Sequence, residues 1–324
     1  MRAVELEGLD GPDSLKLVDI EQPTPGPGEV LIRVEAAGVN FADVEITRGR
    51  YPATLPLPYV IGFETAGVVT EVGAGVEHLH VGDRVAAVGG SGGYAEYAAV
   101  DAASVIRIPP ALSFAEATTI TIQGVTAYAL LKFAARIQPG ETILIQAAAG
   151  GVGLFLVQLA KILGAGKVIA LAGSCDKLEL VRSLGADVAV NYRESNWADR
   201  VRAATGDAGV DIVLESVAGA VGDESSQLLK PFGRTVVFGA QNAHEPISAE
   251  RVRQLMYDGQ SIVGFHIRGL RPDQFGECVS SLFDLLNQGR LRLFANVAFP
   301  LEEARKALEA IASRNTIGKV VLVP

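Results

Sequence analysis

The chain has 324 residues, of which 49% are hydrophobic and 20% are charged, enough for two lobes that each bury an apolar core. Its 28 basic and 37 acidic residues give a net charge of −9, which makes nucleic acid and anionic membrane surfaces unfavourable partners. We expect a cytoplasmic protein, because no apolar run reaches the roughly 18 residues of a membrane span, no secretion signal is visible, and Cys175 and Cys278 are too few for a disulfide framework.

The first third of the chain carries short alternating or β-branched runs, such as 29–34 and 66–72, interrupted by glycine and proline. This pattern predicts an irregular, mostly β lobe. From residue 141, apolar runs alternate with amphipathic segments, which is typical of βαβ units. The predicted strands are 142–146, 167–171, 188–191, 210–214, 234–238 and 261–265, and the predicted helices are 151–163, 176–184, 197–205 and 220–229. Six such strands make a doubly wound α/β sheet.

A helix at 273–287 and a closing strand at 318–323 are predicted as additions to the first lobe. The predicted domains are therefore a discontinuous first domain, 1–121 with 267–324, and a second domain, 122–266, which holds the parallel sheet. Open α/β sheets bind ligands beyond the carboxyl ends of their strands, so the cleft between the lobes is the expected site. Strand 261–265 would leave an open apolar edge, which predicts a homodimer.

A glycine turn between the first strand and the first helix of this sheet is the best local signal of a ligand site. A strand that enters such a turn and opens a helix is typical of dinucleotide binding. Free amides of the helix N-terminus would face a pyrophosphate, and only the usual first glycine is replaced, by Ala148. The alternative is that the glycines merely separate strand from helix. The predicted cofactor-binding residues of the turn are Ala149, Gly150, Gly151, Val152 and Gly153.

The end of the second strand indicates which nicotinamide cofactor is used. An NAD enzyme presents an acidic side chain there to the ribose hydroxyls, but residues 171–174 read LAGS. After Gly173, the Ser174 hydroxyl can donate to a 2′-phosphate, Lys177 can supply a charge, and Tyr192 follows the third strand. Together these residues predict NADPH, although Lys177 alone is compatible with a solvated helix residue and Tyr192 with packing.

Several segments carry a family resemblance. They are Gly140-Glu141, Leu144, 148–151, Gly153, Gln158 and Lys161, together with 38–43, 72–76, 81–85, 93–97, 124–128 and 318–322. On these residues the chain resembles the zinc-independent quinone oxidoreductases, which include ζ-crystallin, of the medium-chain dehydrogenase/reductase superfamily. The resemblance implies a six-stranded Rossmann domain plus a mostly β, GroES-like catalytic domain.

The same resemblance bears on metal binding. In the zinc alcohol dehydrogenases of this superfamily, a cysteine ligand stands at Asn40 or its neighbour and a histidine ligand stands at Phe63. Neither ligand is present here, nor are the four cysteines of the structural zinc lobe. We therefore predict no metal site, and we expect His78 and His80 to be solvated loop residues.

Without a Lewis acid, the tractable acceptors are electron-poor ones, namely quinones and α,β-unsaturated carbonyls. The resemblance implies that Asn40, Asp43 and Tyr51 face nicotinamide and substrate. Tyr51 either gives the proton that follows hydride transfer or only forms a wall of the pocket. The resemblance also implies that Thr126 contacts the nicotinamide carboxamide. We expect Phe63, Phe238 and Phe265 to line the substrate pocket, with core packing as the alternative for each. Arg314 and Lys319 are expected at the cofactor phosphates, with a plain surface charge as the alternative for each. Segments 51–59 and 266–275 are expected to shape the pocket mouth.

These observations predict an NADPH-dependent reductase of quinones or α,β-unsaturated carbonyls. One alternative is an enoyl-thioester reductase. Another is a catalytically silent NADPH-binding protein with a structural or regulatory role. A zinc alcohol dehydrogenase is disfavoured by the missing ligands.

Overall fold

The computed structural model describes residues 1–51, 56–89, 91–239 and 247–324. The chain separates into two compact units, one formed by Met1–Ile122 with Leu293–Pro324 and the other by Gln123–Arg292. The first unit is discontinuous in sequence. Its second segment begins at Leu293, whereas the predicted boundary is residue 267, so residues 267–292 belong to the second unit.

The N-terminal segment of the first unit is dominated by antiparallel strands. Its strands are β1 (Arg2–Leu6), β2 (Leu15–Asp19), β3 (Glu29–Val39), β4 (Tyr59–Val60), β5 (Glu64–Val72), β6 (Arg84–Val88), β7 (Tyr97–Asp101) and β8 (Val105–Arg107), and its helices are α1 (Phe41–Thr47) and α2 (Phe114–Thr119). The long strand β3 pairs antiparallel with both β5 and β7. Most of its residues are buried on both faces, because the apolar core of this unit forms around it.

The second unit is a Rossmann-like parallel sheet with helices between its strands. Its elements are α3 (Val125–Ala129), β9 (Thr142–Ile145), α4 (Gly151–Ile162), β10 (Lys167–Ala172), α5 (Cys175–Ser183), β11 (Val188–Asn191), α6 (Trp197–Thr205), β12 (Val210–Glu215), α7 (Gly219–Ser226), β13 (Leu229–Val237), α8 (Ala249–Asp258), β14 (Ser261–Gly264) and α9 (Pro272–Asn287). The strand order is β11-β10-β9-β12-β13-β14. The predicted doubly wound α/β class is thus confirmed. Helix α7 ends at Ser226, earlier than predicted, because Leu229 already begins β13.

Helix α9 packs within the second unit, whereas its predicted place is the first lobe. Its buried residues are Cys278, Leu282 and Leu285. Leu282 Cδ1 lies against Gly124, where a methyl group would come within 3.0 Å of it. An amphipathic pattern shows that a helix buries one face but does not identify the surface that covers it, which is why the prediction was wrong.

The C-terminal segment completes the sheet of the first unit. It contains β15 (Val297–Pro300), α10 (Ala304–Ala312) and β16 (Val320–Val323). Strand β16 pairs antiparallel with β3, and the order β15-β16-β3-β5-β6-β8 results. In the described part of the chain, no helix is long and apolar enough to cross a bilayer.

Candidate functional site

A buried ion pair lies in the core of the first unit. The Lys319 ammonium contacts a carboxylate oxygen of Glu64, and both side chains are 0% exposed. Glu64 opens β5 and Lys319 directly precedes β16, the two strands that flank β3. Gly38 of β3 lies against the pair, since a methyl group there would overlap the carboxylate and come within 2.8 Å of Lys319 Nζ. A side chain at residue 38 would therefore displace the pair.

Asn40 is held by this ion pair. Its Oδ1 accepts a hydrogen bond of 2.9 Å from Lys319 Nζ, and its Nδ2 donates to Glu64 Oε2 at 3.2 Å. The other Glu64 oxygen accepts from the Thr121 hydroxyl and, at 2.8 Å, from the Ile122 N–H. Both ends of the Asn40 carboxamide are thus committed to protein partners. The expectation that Lys319 approaches cofactor phosphates is wrong, because these partners enclose its ammonium.

Asp43 lies in the first turn of α1 and is fully buried. Its Oδ2 accepts from the Asn40 N–H at 2.7 Å and from the Tyr94 hydroxyl at 2.8 Å, while its Oδ1 has no partner among the described residues. Burial raises the pKa of Asp43 to about 6, although these two donors and Lys319 act in the opposite direction. Burial also raises the pKa of the Tyr94 phenol, and the Asp43 charge adds to that effect. Asp43 and Tyr94 thus form a buried, hydrogen-bonded pair that fixes the start of α1.

Tyr51 and Phe63 form an aromatic pair in the first unit. Their ring centroids are 6.3 Å apart and their planes are inclined by 37°. Tyr51 is half-buried, whereas Phe63 is 8% exposed and belongs to the apolar core of the first unit. Of the predicted mouth segment 51–59, residues 52–55 lie outside the described residues.

The glycine turn joins β9 to α4 as predicted. A methyl group at Gly153 would lie 2.6 Å from the carbonyl carbon of Ala148, so close helix–strand packing requires glycine there. A methyl group at Gly150 would meet only the Ala147 carbonyl oxygen, at 3.2 Å, so the backbone stays accessible. Ala149 is buried and Val152 is half-buried in the first turn of α4. The N–H groups of this turn have no acceptor within the helix and can bind an anion.

Gln123 is a residue of this region that sequence reasoning missed. Its carboxamide packs on Gly151, where a methyl group would overlap it. The side chain is 8% exposed, and its Oε1 is buried without a hydrogen-bond partner among the described residues. The signal available in the sequence was a carboxamide between Ile122 and Gly124, in a mostly apolar stretch.

Two cations and a phenol gather at the carboxyl end of β10. A methyl group at Gly173 would lie 3.1 Å from both Tyr192 Oη and Arg193 Nε. Burial lowers the pKa of Lys177, and the Arg193 charge lowers it further while Tyr192 acts in the opposite direction. Ser174, the N-cap residue of α5, is exposed. The structure thus brings the four predicted residues together and adds Arg193, an exposed residue that the sequence analysis did not single out.

The remaining predicted residues are spread over both units. Thr126 is buried in α3, and Phe238 and Phe265 follow the adjacent strands β13 and β14 at the same edge of the sheet. Phe238 is 8% exposed, and Phe265 is half-buried. Arg314 is an exposed residue of the first unit that follows α10 with a φ of 58°.

Glu215, at the carboxyl end of β12, is a second functional candidate that the sequence did not indicate. Its carboxylate accepts from Gln146 Nε2 at 2.7 Å and from the N–H groups of Val217 at 3.0 Å and Ala218 at 2.8 Å. Ala218 has φ 59° and ψ −176°, a conformation that residues other than glycine rarely adopt. Glu215 therefore holds a strained turn beside the glycine turn, since β9 and β12 are neighbours.

Within 1–51, 56–89, 91–239 and 247–324, no group of three or more His, Cys, Asp or Glu side chains could hold a metal ion. His78 and His80 are both exposed in the turn before β6.

Comparison with known proteins gives two family matches. Residues 26–110 match the alcohol dehydrogenase GroES-like domain, and residues 151–284 match the zinc-binding dehydrogenase family. The Pseudomonas aeruginosa quinone oxidoreductase is 35% identical, over 100% of this chain and 99% of that protein. The human synaptic vesicle membrane protein VAT-1 homolog is 32% identical, over 100% and 86% respectively. The crystal structure of Escherichia coli quinone oxidoreductase complexed with NADPH superposes with a TM-score of 0.92 at 32% identity, covering 100% of both chains.

Proposed function

The chain belongs to the quinone oxidoreductase group of the medium-chain dehydrogenase/reductase family, and from that membership we propose that it transfers hydride from NADPH to quinones or α,β-unsaturated carbonyls without zinc. The observation that carries this proposal is the cluster at the end of β10. Lys177 and Arg193 place two cations beside Gly173 and Tyr192, and no carboxylate stands at the strand tip. Two neighbouring cations favour a dianionic 2′-phosphate over a free ribose hydroxyl.

The protein's own groups divide the task of holding NADPH. The N–H groups of residues 151–153, at the N-terminus of α4, would bind the pyrophosphate, whereas the Gly150 N–H already donates to the Ala147 carbonyl oxygen at 2.8 Å. Ser174, Lys177, Tyr192 and Arg193 would take the 2′-phosphate, and Thr126 would take the nicotinamide carboxamide. When bound, NADPH supplies the hydride.

We assign different roles to the polar residues of the first unit. Tyr51 is half-buried beside Phe63 and is the residue that would contact the acceptor and give it a proton. Asn40 and Asp43 are positioning residues, because their hydrogen-bonding atoms are turned to Lys319, Glu64 and Tyr94 or are buried. Together they fix the entry into α1, the helix that leads to Tyr51.

Zinc independence is supported by the residues at the positions where the zinc alcohol dehydrogenases carry metal ligands. Phe63 offers no donor atom, and the Asn40 carboxamide is engaged by Lys319 and Glu64. The Lys319 ammonium already supplies a positive charge to the Glu64 carboxylate. A metal ion bound beside it would meet that charge at close range.

We also propose a cytoplasmic homodimer. Both cysteines are free thiols, which agrees with a reducing compartment. Strand β14 ends the second-unit sheet, and the exposed apolar residues nearby in sequence include Met256 at 77% and Tyr257 at 87% exposure. An unpaired strand edge with exposed apolar neighbours favours association.

The test is turnover of NADPH, followed by its absorbance, with a para-quinone and with an enone as acceptors. Each assay is repeated with NADH and after treatment with a chelator. Chelator-resistant turnover that prefers NADPH is the expected result. Activity lost to chelation and restored by zinc would reject zinc independence. NADPH binding without reduction of either acceptor, or of an enoyl thioester, would favour the silent, regulatory alternative.

A further inference from the structure

Gln123 carries a carboxamide whose oxygen has no hydrogen-bond partner among the described residues. It is 8% exposed, yet its Oε1 is buried and unpartnered within the described part of the chain. The second unit's other buried glutamines, Gln146, Gln158 and Gln260, are hydrogen-bonded through both the oxygen and the nitrogen of the side chain. Leaving a buried amide oxygen unpaired destabilises a fold, so Gln123 departs from the pattern of its unit.

The position of this carboxamide points to the cofactor. A methyl group at Gly151 would overlap its carbon, oxygen and nitrogen atoms together, so the amide lies flat on the first residue of α4. Helix α4 spans 12 residues, and the N–H groups of its first turn are unpaired within the helix. Gly151 is thus glycine because it admits the Gln123 side chain, a reason distinct from close approach to a pyrophosphate.

The chemistry of the unpaired Gln123 oxygen limits which group of NADPH can bind to it. A carboxamide oxygen only accepts hydrogen bonds, and a pyrophosphate offers no donor, whereas a ribose hydroxyl does. The adenosine ribose of NADPH is already assigned to the cationic cluster that follows β10, which leaves the nicotinamide ribose. Gln123 precedes Thr126, the proposed nicotinamide contact, by three residues, which is about one helical turn.

We infer that Gln123 Oε1 accepts a hydrogen bond from a hydroxyl of the nicotinamide ribose, which makes Gln123 a ligand of the nicotinamide half of the cofactor. This inference rests on the proposed function. It gives the unpaired oxygen a donor and explains why a polar side chain occupies a buried place above the glycine turn.

The experiment compares two ligands on the full chain by calorimetric titration. NADPH has both halves, whereas adenosine 2′,5′-bisphosphate lacks the nicotinamide ribose. The variant is Gln123→Met, which keeps an unbranched side chain of similar length. We expect the Kd for NADPH to rise about tenfold, as for the loss of one hydrogen bond, and the Kd for the bisphosphate to stay within about twofold. The Tm of the free protein should not fall, because the replaced oxygen has no partner to lose.

Gln158→Met is the matched control. Gln158 is also buried in the second unit, but it donates to the Leu154 and Arg292 carbonyls and accepts from the Arg292 N–H. Its replacement leaves those groups unpaired, so the Tm should fall while both Kd values stay unchanged. Gln123→Met should therefore change the Kd for NADPH but not the Tm, whereas Gln158→Met should change the Tm but neither Kd.

Two outcomes would overturn the inference. Equal weakening of both ligands would mean that Gln123 shapes the turn, and an unchanged Kd for NADPH would mean that it only packs. If the wild-type chain bound the bisphosphate but not NADPH, or bound neither, the proposed function itself would be rejected, so the two failures are distinct.

Discussion

Lys319 reaches back across 255 residues of sequence to Glu64, and neither side chain of the pair has any exposed surface. Removing the ammonium leaves a buried carboxylate with no cation. We therefore expect Lys319→Met to lower the free energy of unfolding by roughly 3–5 kcal/mol, measured by urea denaturation followed by circular dichroism.

Lys16→Met is the control for this effect. Lys16 pairs with Glu7, but the two side chains are 61% and 48% exposed, so the loss should stay within about 0.5 kcal/mol. The double variant Glu64→Gln, Lys319→Met should recover part of the loss, because it removes both charges. A single-variant loss as small as that of Lys16→Met would show that the pair is not closed to water.

The stability of the first unit should depend on pH through Asp43, whose pKa burial raises from 3.8 to about 6. Between these two values the native state keeps a proton that the unfolded chain has released, so the Asp43 contribution to stability falls as pH rises. Asp43→Asn does not titrate. The stability of wild type relative to this variant should therefore fall from pH 4 to pH 7, by up to about 3 kcal/mol. A relative stability that rises over this range would contradict the buried environment of Asp43.

Cofactor choice should depend on the cations after β10. The double variant Lys177→Ala, Arg193→Ala should raise the Kd for NADPH by about ten- to a hundredfold, while the Kd for NADH should change little because NADH lacks the 2′-phosphate. Arg200→Ala is the control, since this exposed arginine of α6 pairs with Glu194 in the turn before that helix. Equal losses for both cofactors would remove the basis for the NADPH assignment.

Tyr51→Phe separates the two roles open to Tyr51. If its hydroxyl gives the proton, kcat with an enone should fall about a hundredfold. The quinone rate should stay within about twofold of wild type, because a hydroquinone oxygen can take its protons from water. Steady-state kinetics with both acceptors measures this. A higher KM for both acceptors with unchanged kcat would instead identify Tyr51 as a pocket wall.

The proposed homodimer should be sensitive to the exposed apolar residues before β14. We expect sedimentation velocity to show a dimer, and Tyr257→Asp to shift it toward monomer at micromolar concentration. Val81→Asp is the matched control, because Val81 is 67% exposed in the first unit. A wild-type monomer would reject the proposed homodimer. Equal effects of both variants would place the interface elsewhere.

The sequence predicts the nucleotide-binding sheet well because its signals are local. Strand and helix periods identify β9 to β14, and the glycine turn precedes α4 as expected. Ser174, Lys177 and Tyr192 were found because strand ends of a parallel sheet meet at one edge. Arg193 was missed because nothing in an exposed loop distinguishes one charged residue from its neighbours.

What the sequence does not predict depends on contacts across long separations. Lys319 has the pattern of a surface cation, and only the pairing of β16 with β3 brings it to Glu64. Helix α9 shows an apolar face but not the surface it covers. The fit of Gln123 on Gly151 depends on the π-helical turn Ile120–Gly124, whose widened geometry has no residue signature of its own.

The late strand β16 also sets an order of assembly during protein synthesis. Residues 123–292 are contiguous, so the second unit can close its sheet while the C-terminal segment is still inside the ribosome. The first unit cannot close its sheet at that stage, because residues 37–39 of β3 still lack β16 and Glu64 has no cation until Lys319 emerges. While residues 293–324 are being synthesised, the N-terminal segment of the first unit is the part of the nascent chain that chaperones and proteases can reach.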